Sequence, residues 1–311
     1  MKGSEDVLGL SKVKEIIDNF DSIQTWSIHM MRIKGNVNAS TSYFCRQIRL
    51  VPEESLFTLV TDVKAELVKK TNEVNEVLEF AGTFENSNIY ELPTTDESIT
   101  ESCASLVTAI ENTDIEKNPF DIKANAYAVI GSLEGKNIFF VFLQNPVKTI
   151  KRKYMLTDNG AFKEVNNKIL SLGIDADLLI YDGTAYFLSL KAEKVLGLER
   201  TYLKICKRHI EEIAQSDILI DITPFENIAK FGCNPRRFMA YSQRNMERLK
   251  KKEVRKRIAN SFSIPLKNGK FDVANPADAE NLVKIICQKG MIDPFDSEAR
   301  EVSGARKWRT N

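Results

Sequence analysis

Residues 125–143 read NAYAVIGSLEGKNIFFVFL, two apolar runs on either side of Glu134-Gly135-Lys136. Both runs are rich in β-branched and aromatic residues, which is typical of buried strands. Two such runs joined by three residues with a central Gly predict a β-hairpin. The strongly apolar part, Ile138 to Leu143, has six residues, whereas a membrane span needs about 20. The stretch therefore predicts paired strands inside a globular fold.

The chain on both sides of this hairpin extends the pattern. Strand-like runs lie upstream at 27–33 and 42–51, and downstream at 168–172, 177–181 and 184–190. The last two runs are joined by Asp182-Gly183, a dipeptide that favours tight hairpin turns. Helical periodicity is found at 11–20, after Pro52, at 99–111, and after Lys191 at 198–215, 224–231, 236–248, 251–259 and 276–289.

This pattern predicts an α+β fold class. We expect a mixed or mostly antiparallel central sheet with flanking helices and a helical, basic C-terminal region. A chain of 311 residues has the length of about two domains. We divide it into an acidic N-terminal α+β region, 1–122, and a second domain, 123–311, whose hairpins occupy 123–190 and whose basic helical region occupies 191–311.

The formal net charge of +1 conceals two opposite halves. Residues 1–145 carry 13 Lys and Arg against 22 Asp and Glu, and residues 146–311 carry 31 against 21. Between residues 71 and 121 there are twelve acids and one base, whereas residues 230–257 carry eleven bases and two acids. Such segregation indicates either two solvated faces or a basic face for a polyanion and an acidic face for a protein.

The basic segment provides the candidate binding residues. Like charges crowded on a helix repel one another, and the phosphates of a polyanion would relieve that repulsion. Arg and Lys suit phosphate, while no arrangement of side chains clearly reads bases, so the predicted binding is largely non-specific. A solvated face, or a surface for RNA or a partner protein, is the alternative. The predicted DNA-binding residues are Arg236, Arg237, Arg244, Arg248, Lys250, Lys251, Lys252, Arg255, Lys256 and Arg257.

No catalytic signature is recognisable in the sequence. It has two histidines, His29 and His209, and no phosphate loop, nucleophile elbow or zinc-ligand pairing. One pattern resembles a metal-dependent nuclease, in which an Asp and a Glu-x-Lys hold a divalent ion and activate water. Its residues would be Asp121, Glu134 and Lys136, but Glu134 and Lys136 fall at the predicted hairpin tip. We expect no enzyme, no cofactor and no metal, and keep the nuclease and a pure protein scaffold as alternatives.

The compartment follows from the N-terminus and the cysteines. Residues 1–6, MKGSED, lack the apolar stretch of a signal peptide, and the five cysteines form no Cys-x-x-Cys pair. We expect a cytoplasmic protein with reduced thiols.

Residues 175–188, DADLLIYDGTAYFL, resemble the core hairpin of the KwaB-like family, which belongs to the Kiwa anti-phage defence system. The basic stretch 154–164, the helical region that begins at Pro235, and the total length are also similar. The resemblance is clearer over about residues 140–290 and carries no catalytic residues with it.

The resemblance implies a non-enzymatic defence protein that binds DNA and restrains phage replication and late transcription. Members of this family act with a KwaA-like membrane protein and form homodimers. The expected partners are therefore DNA, a KwaA-like protein and a second copy of the chain. The expected location is the cytoplasm, at the inner face of the membrane through the partner and without direct insertion.

Overall fold

The computed structural model describes residues 12–36, 39–82, 84–113, 123–149, 155–158, 161–164, 168–292 and 299–301. The chain forms two compact units, each with its own hydrophobic core. One unit comprises Met1–Phe80 and Phe84–Leu198, and the other comprises Ala81–Thr83 and Glu199–Asn311.

An eight-stranded sheet forms the centre of the first unit. Its strands are β1 (Gln24–Asn36), β2 (Ala39–Ile48), β3 (Glu76–Glu79), β4 (Asn88–Pro93), β5 (Ala126–Leu133), β6 (Lys136–Phe142), β11 (Leu178–Tyr181) and β12 (Thr184–Phe187). Their order is β2-β1-β5-β6-β11-β12-β4-β3. Neighbouring strands are antiparallel except β3 and β4, which are parallel. Short two-stranded pairs are formed by β7 (Val147–Thr149) with β10 (Lys168–Leu170), and by β8 (Met155–Asp158) with β9 (Ala161–Glu164).

Both predicted hairpins are present, and their turns have the required backbone. Glu134 and Gly135 have φ values of 53° and 75°, and Asp182 and Gly183 have values of 45° and 74°. A two-residue turn with positive φ at both positions matches the right-handed twist of the strands it joins. Gly tolerates this conformation without strain because it has no Cβ.

Helices cover both faces of the sheet. Successive residues of β1 point to opposite faces, and Ile28 and Met30 share a core with helix α1 (residues 12–18) and helix α2 (Glu54–Glu73). Helix α3 (Thr100–Glu111) packs against β2 on the other face, the face towards which His29 points. A short helix, α4 (Ala192–Val195), ends this unit.

The second unit is mainly helical. It contains α5 (Leu198–Gln215), which begins at the last residue of the first unit, α6 (Thr223–Ala229), α7 (Asn234–Arg237), α8 (Gln243–Leu249), α9 (Lys252–Phe262) and α10 (Pro276–Ile286). Two short hairpins accompany them: β13 (Leu266–Lys267) with β14 (Lys270–Phe271), and β15 (Gly290–Ile292) with β16 (Ala299–Glu301).

The helix predicted over 236–248 is interrupted. After α7 and a 3₁₀ turn, Tyr241 is extended, and the Ser242 hydroxyl accepts a hydrogen bond from the Asn245 amide at 3.4 Å. Ser242 thus starts α8 as its N-cap, which ends the preceding helix. Phe231, an apolar residue of the basic segment 230–257, is 76% exposed.

The predicted α+β class, with a mostly antiparallel sheet and flanking helices, is confirmed. The predicted division at 122/123 does not coincide with the division of the fold. Strands from 24–48, 76–93, 126–142 and 178–187 all join one sheet, and the second unit begins at Glu199 and includes Ala81–Thr83.

Candidate nucleic-acid interface

Helices α8 and α9, with the Lys250-Lys251 turn between them, present most of the predicted basic residues to solvent. Met246, Leu249 and Ala259 are buried in the core of the second unit, so the opposite helix faces point outwards. We call the exposed basic residues of this segment the α8–α9 surface. They are Arg244, Arg248, Lys250, Lys251, Lys252, Lys256 and Arg257.

Two acidic residues interrupt the α8–α9 surface. Glu247 Oε1 lies 2.6 Å from Lys250 Nζ, and both side chains are about half exposed. An exposed pair of this kind contributes roughly 0–1 kcal/mol, so a phosphate can replace Glu247 at little cost. Glu253 is also exposed and precedes Arg257 by one helical turn. The surface therefore keeps a net positive charge of five.

Arg255 has a structural position inside the same segment. It is 6% exposed, and its Nε donates to Gly269 O at 2.5 Å. Its Nη1 donates to Leu249 O at 2.7 Å and to Lys250 O at 2.8 Å. The guanidinium thus caps the C-terminal carbonyls of α8 and fixes the turn of the β13–β14 hairpin. Since it is buried and engaged, Arg255 is not available to a phosphate, and we leave it out of the interface.

Arg236 and Arg237 are half-buried on the short helix α7. The Arg237 Nη1 donates to Asn234 Oδ1 at 2.5 Å and lies 3.8 Å from Glu280 Oε1. These contacts hold α7 within the helical unit. We leave both arginines out of the interface as well.

Helix α5 carries a second set of exposed basic residues, which lie outside the predicted DNA-binding set. Arg200, Lys204 and Arg208 recur every four residues, and Lys207 lies beside them. At 1.5 Å per residue, they cover about 12 Å of helix. The i, i+4, i+8 spacing is visible in the sequence. Charge counting does not single out this helix, because Glu199, Glu211 and Glu212 offset the positive charge of its basic residues.

The residues of the nuclease hypothesis are only partly described. Glu134 and Lys136 lie at the exposed β5–β6 turn, and Lys136 Nζ lies 2.6 Å from Asp182 Oδ1 of the neighbouring hairpin. Asp121 lies outside the described residues. Across the described part of the chain, no group of three or more His, Cys, Asp or Glu side chains could hold a metal ion.

The buried thiols offer little chemistry. Cys45, Cys103, Cys206 and Cys287 are buried, and burial raises the pKa of each to about 12. A thiol with such a pKa stays protonated near neutral pH and is a poor nucleophile or metal ligand.

Asp177, within the motif 175–188 that resembles the KwaB-like family, forms hydrogen bonds that connect strands of the sheet. Asp177 is 3% exposed, and its Oδ2 accepts from the Leu143 amide at 2.7 Å. Its Oδ1 accepts from Ser189 Oγ at 2.5 Å and lies 3.5 Å from Lys191 Nζ. The motif therefore joins the ends of β6 and β12, which gives Asp177 a structural role.

These features define an α+β protein with a mixed-sheet unit and a helical unit that presents a cationic surface. None of the helices in the described ranges is long and apolar enough to cross a membrane. A family model described as "Kiwa protein KwaB-like" matches residues 123–290, more than half of the 311-residue chain. The chain therefore belongs to the KwaB-like family, and its role lies in Kiwa anti-phage defence. Comparisons with curated proteins and with solved structures found no match.

Proposed function

We propose that the chain is the DNA-binding subunit of a membrane-associated anti-phage complex. The α8–α9 surface binds the backbone of duplex DNA, largely without sequence specificity, and this binding restrains phage replication and late transcription. The observation that carries the proposal is the exposure of seven basic residues against two acidic ones between Arg244 and Arg257.

The spacing of these side chains suits phosphates. Lys252 and Lys256 are one turn apart on α9, and Arg244 and Arg248 are one turn apart on α8. Four residues of α-helix advance about 6 Å, so a short basic helix reaches several phosphates of a duplex, whose charges lie about 1.7 Å apart along the axis. Backbone contacts fix position and carry no sequence information, so unrelated sequences should bind alike.

The acidic part of the first unit supports a protein partner. Between Glu73 and Glu111 the described chain carries nine acidic residues and no Lys or Arg, and most of these carboxylates are exposed. Electrostatic complementarity favours a basic partner surface. We propose that this acidic segment of the first unit receives a KwaA-like membrane protein, with the chain in the cytoplasm at the membrane. We also propose that the chain acts as a homodimer.

The proposal is tested by gel shift with three duplexes of unrelated sequence and equal length, each with and without magnesium. We expect the full-length chain to shift all three at low salt, with affinities within about threefold, because phosphate contacts are common to all. Intact DNA after incubation with magnesium supports a binding role without cleavage. If no duplex shifts at low salt, the DNA-binding function is refuted, and a scaffold that binds only proteins becomes the better account.

A further inference from the structure

A cleft of about 200 Å³ lies between the sheet and the last turn of α3 in the first unit. It has no part in the α8–α9 surface, which belongs to the other unit. Its lining is mainly polar, with three aliphatic or aromatic side chains. The lining residues are Thr25, Ser27, His29, Gln47, Ile110, Glu111, Thr113, Ile130, Gly131, Asn137 and Phe139.

Paired strand residues form the floor of the cleft. Ser27 of β1 is opposite Ile130 of β5, and Ile130 is opposite Phe139 of β6. His29, two residues from Ser27 on the same face of β1, is opposite Gln47 of β2. The polar side chains of Ser27, His29 and Gln47 thus come from β1 and β2, and the apolar ones of Ile130 and Phe139 come from β5 and β6. Asn137 adds a polar group on β6, two residues from Phe139. A flat ring can rest on the apolar side chains while its edges reach polar groups on either side of them.

The hydrogen bonds of His29 assign its tautomer. Thr113 Oγ1 donates to Ile110 O at 2.9 Å, so its single proton is used, and it must accept from His29 Nδ1 at 3.1 Å. The ring therefore carries its proton on Nδ1, and Nε2 accepts from Ser27 Oγ at 3.1 Å. His29 is 5% exposed, and burial lowers its pKa to about 4. The ring is therefore neutral near pH 7 and contributes no positive charge to the cleft.

The negative charge of the cleft disfavours anions. Glu111 is the charged residue of its lining, at the C-terminal end of α3, where the helix dipole is also negative. Asn137 Nδ2 donates to Glu111 Oε1 at 3.1 Å, which orients the carboxylate. None of the described residues that line the cleft is Lys or Arg. A phosphate or carboxylate is disfavoured here, and a ligand with N–H donors is favoured.

We propose that this cleft binds an uncharged nitrogen heterocycle, namely a nucleobase or an unphosphorylated nucleoside, with an N–H edge towards Glu111. Amide side chains pair with the donor–acceptor edges of bases, and a carboxylate accepts from their amino groups. The amides of Gln47 and Asn137 and the carboxylate of Glu111 provide these partners, and Ile130 and Phe139 contact the ring face. The volume suits one small ring system, since it is below the roughly 300–1,000 Å³ of drug-sized sites.

The test is isothermal titration of the full chain with cytosine, adenine and guanosine, and with orotate, a pyrimidine that carries a carboxylate. We expect at least one neutral probe to bind with a Kd below about 1 mM, and orotate to bind at least tenfold more weakly. Glu111→Gln keeps an acceptor for Asn137 but removes the charge, and should weaken binding about tenfold. Glu101→Gln, also exposed on α3, is the matched control and should bind like wild type.

Three results would overturn the proposal: no neutral probe binds, orotate binds as tightly as the neutral probes, or Glu111→Gln leaves the affinity unchanged.

The pH dependence of the affinity is a second measurement. Because His29 stays neutral well above its pKa of about 4, affinity should be flat between about pH 6 and 8. A marked change in that range contradicts the assigned role of His29. Both variants alter exposed side chains, and a far-UV circular dichroism spectrum like that of wild type serves as the check that the chain remains folded.

Discussion

Reversal of Lys250, Lys251 and Lys252 to Glu is expected to weaken duplex-DNA binding about 100-fold at about 0.15 M salt. Each reversal removes one phosphate contact, and at roughly 1 kcal/mol per exposed contact the three together account for about two orders of magnitude. All three side chains are exposed, and they join α8 to α9 at the centre of the α8–α9 surface. The measurement is a gel-shift titration of wild type and variant at several salt concentrations.

The salt dependence shows whether the effect comes from phosphate contacts. If all seven exposed basic residues contact phosphates, the slope of log K against log salt is about −6, because each contact contributes about −0.9. Loss of three contacts should bring the slope to about −4. Between 50 and 200 mM salt, wild type should thus lose about 10³–10⁴ in affinity and the variant about 10².

A matched variant separates local contacts from total charge. Reversal of Lys12, Lys14 and Lys123 changes the net charge equally, and these lysines are exposed in the first unit. This control should keep the wild-type slope, because its lysines lie outside the α8–α9 surface. If both triple variants lose the same affinity, binding depends on overall charge, and our placement of the interface is incorrect.

The hairpins were predictable because local chemistry specifies them. Asp182-Gly183 adopts the positive φ values that a two-residue turn requires, and the central strands are apolar on both faces because helices cover both. By contrast, β4 pairs with β12 across about 90 residues of chain, and β3 joins it in parallel. Nothing local in the sequence specifies such a pairing, since it depends on which sheet edge remains open after the hairpins form.

The candidate site shows a similar contrast. Basic composition identified the segment, but it could not tell a phosphate ligand from a structural arginine. The distinguishing signal is helical phase: Arg255 precedes the buried Ala259 by one turn, whereas Lys256 and Arg257 lie on the exposed side. The break at Ser242 also changes the phase between the α7 and α8 segments, so the outward face of one cannot be extrapolated to the other.

Arg255→Met and Arg257→Met are expected to separate stability from binding. Arg255→Met keeps the apolar stem but removes the donors that reach Leu249 O, Lys250 O and Gly269 O. A buried carbonyl that loses its partner costs about 1–3 kcal/mol. With relaxation and some access of water, we expect a loss of about 3 kcal/mol in the free energy of unfolding, measured by urea titration with far-UV circular dichroism.

Arg257→Met, two residues further along α9, should show the opposite pattern. Its side chain is exposed, so stability should change by at most about 0.5 kcal/mol, while the salt slope of duplex binding becomes about one unit less negative. Arg255→Lys should not restore stability, because one ammonium group cannot reach the carbonyls that accept from different edges of the guanidinium group. If Arg255→Met were as stable as wild type and only weakened DNA binding, Arg255 would contact DNA phosphates. Its assignment as a buried cap, which defines the outward face of α9, would then be wrong.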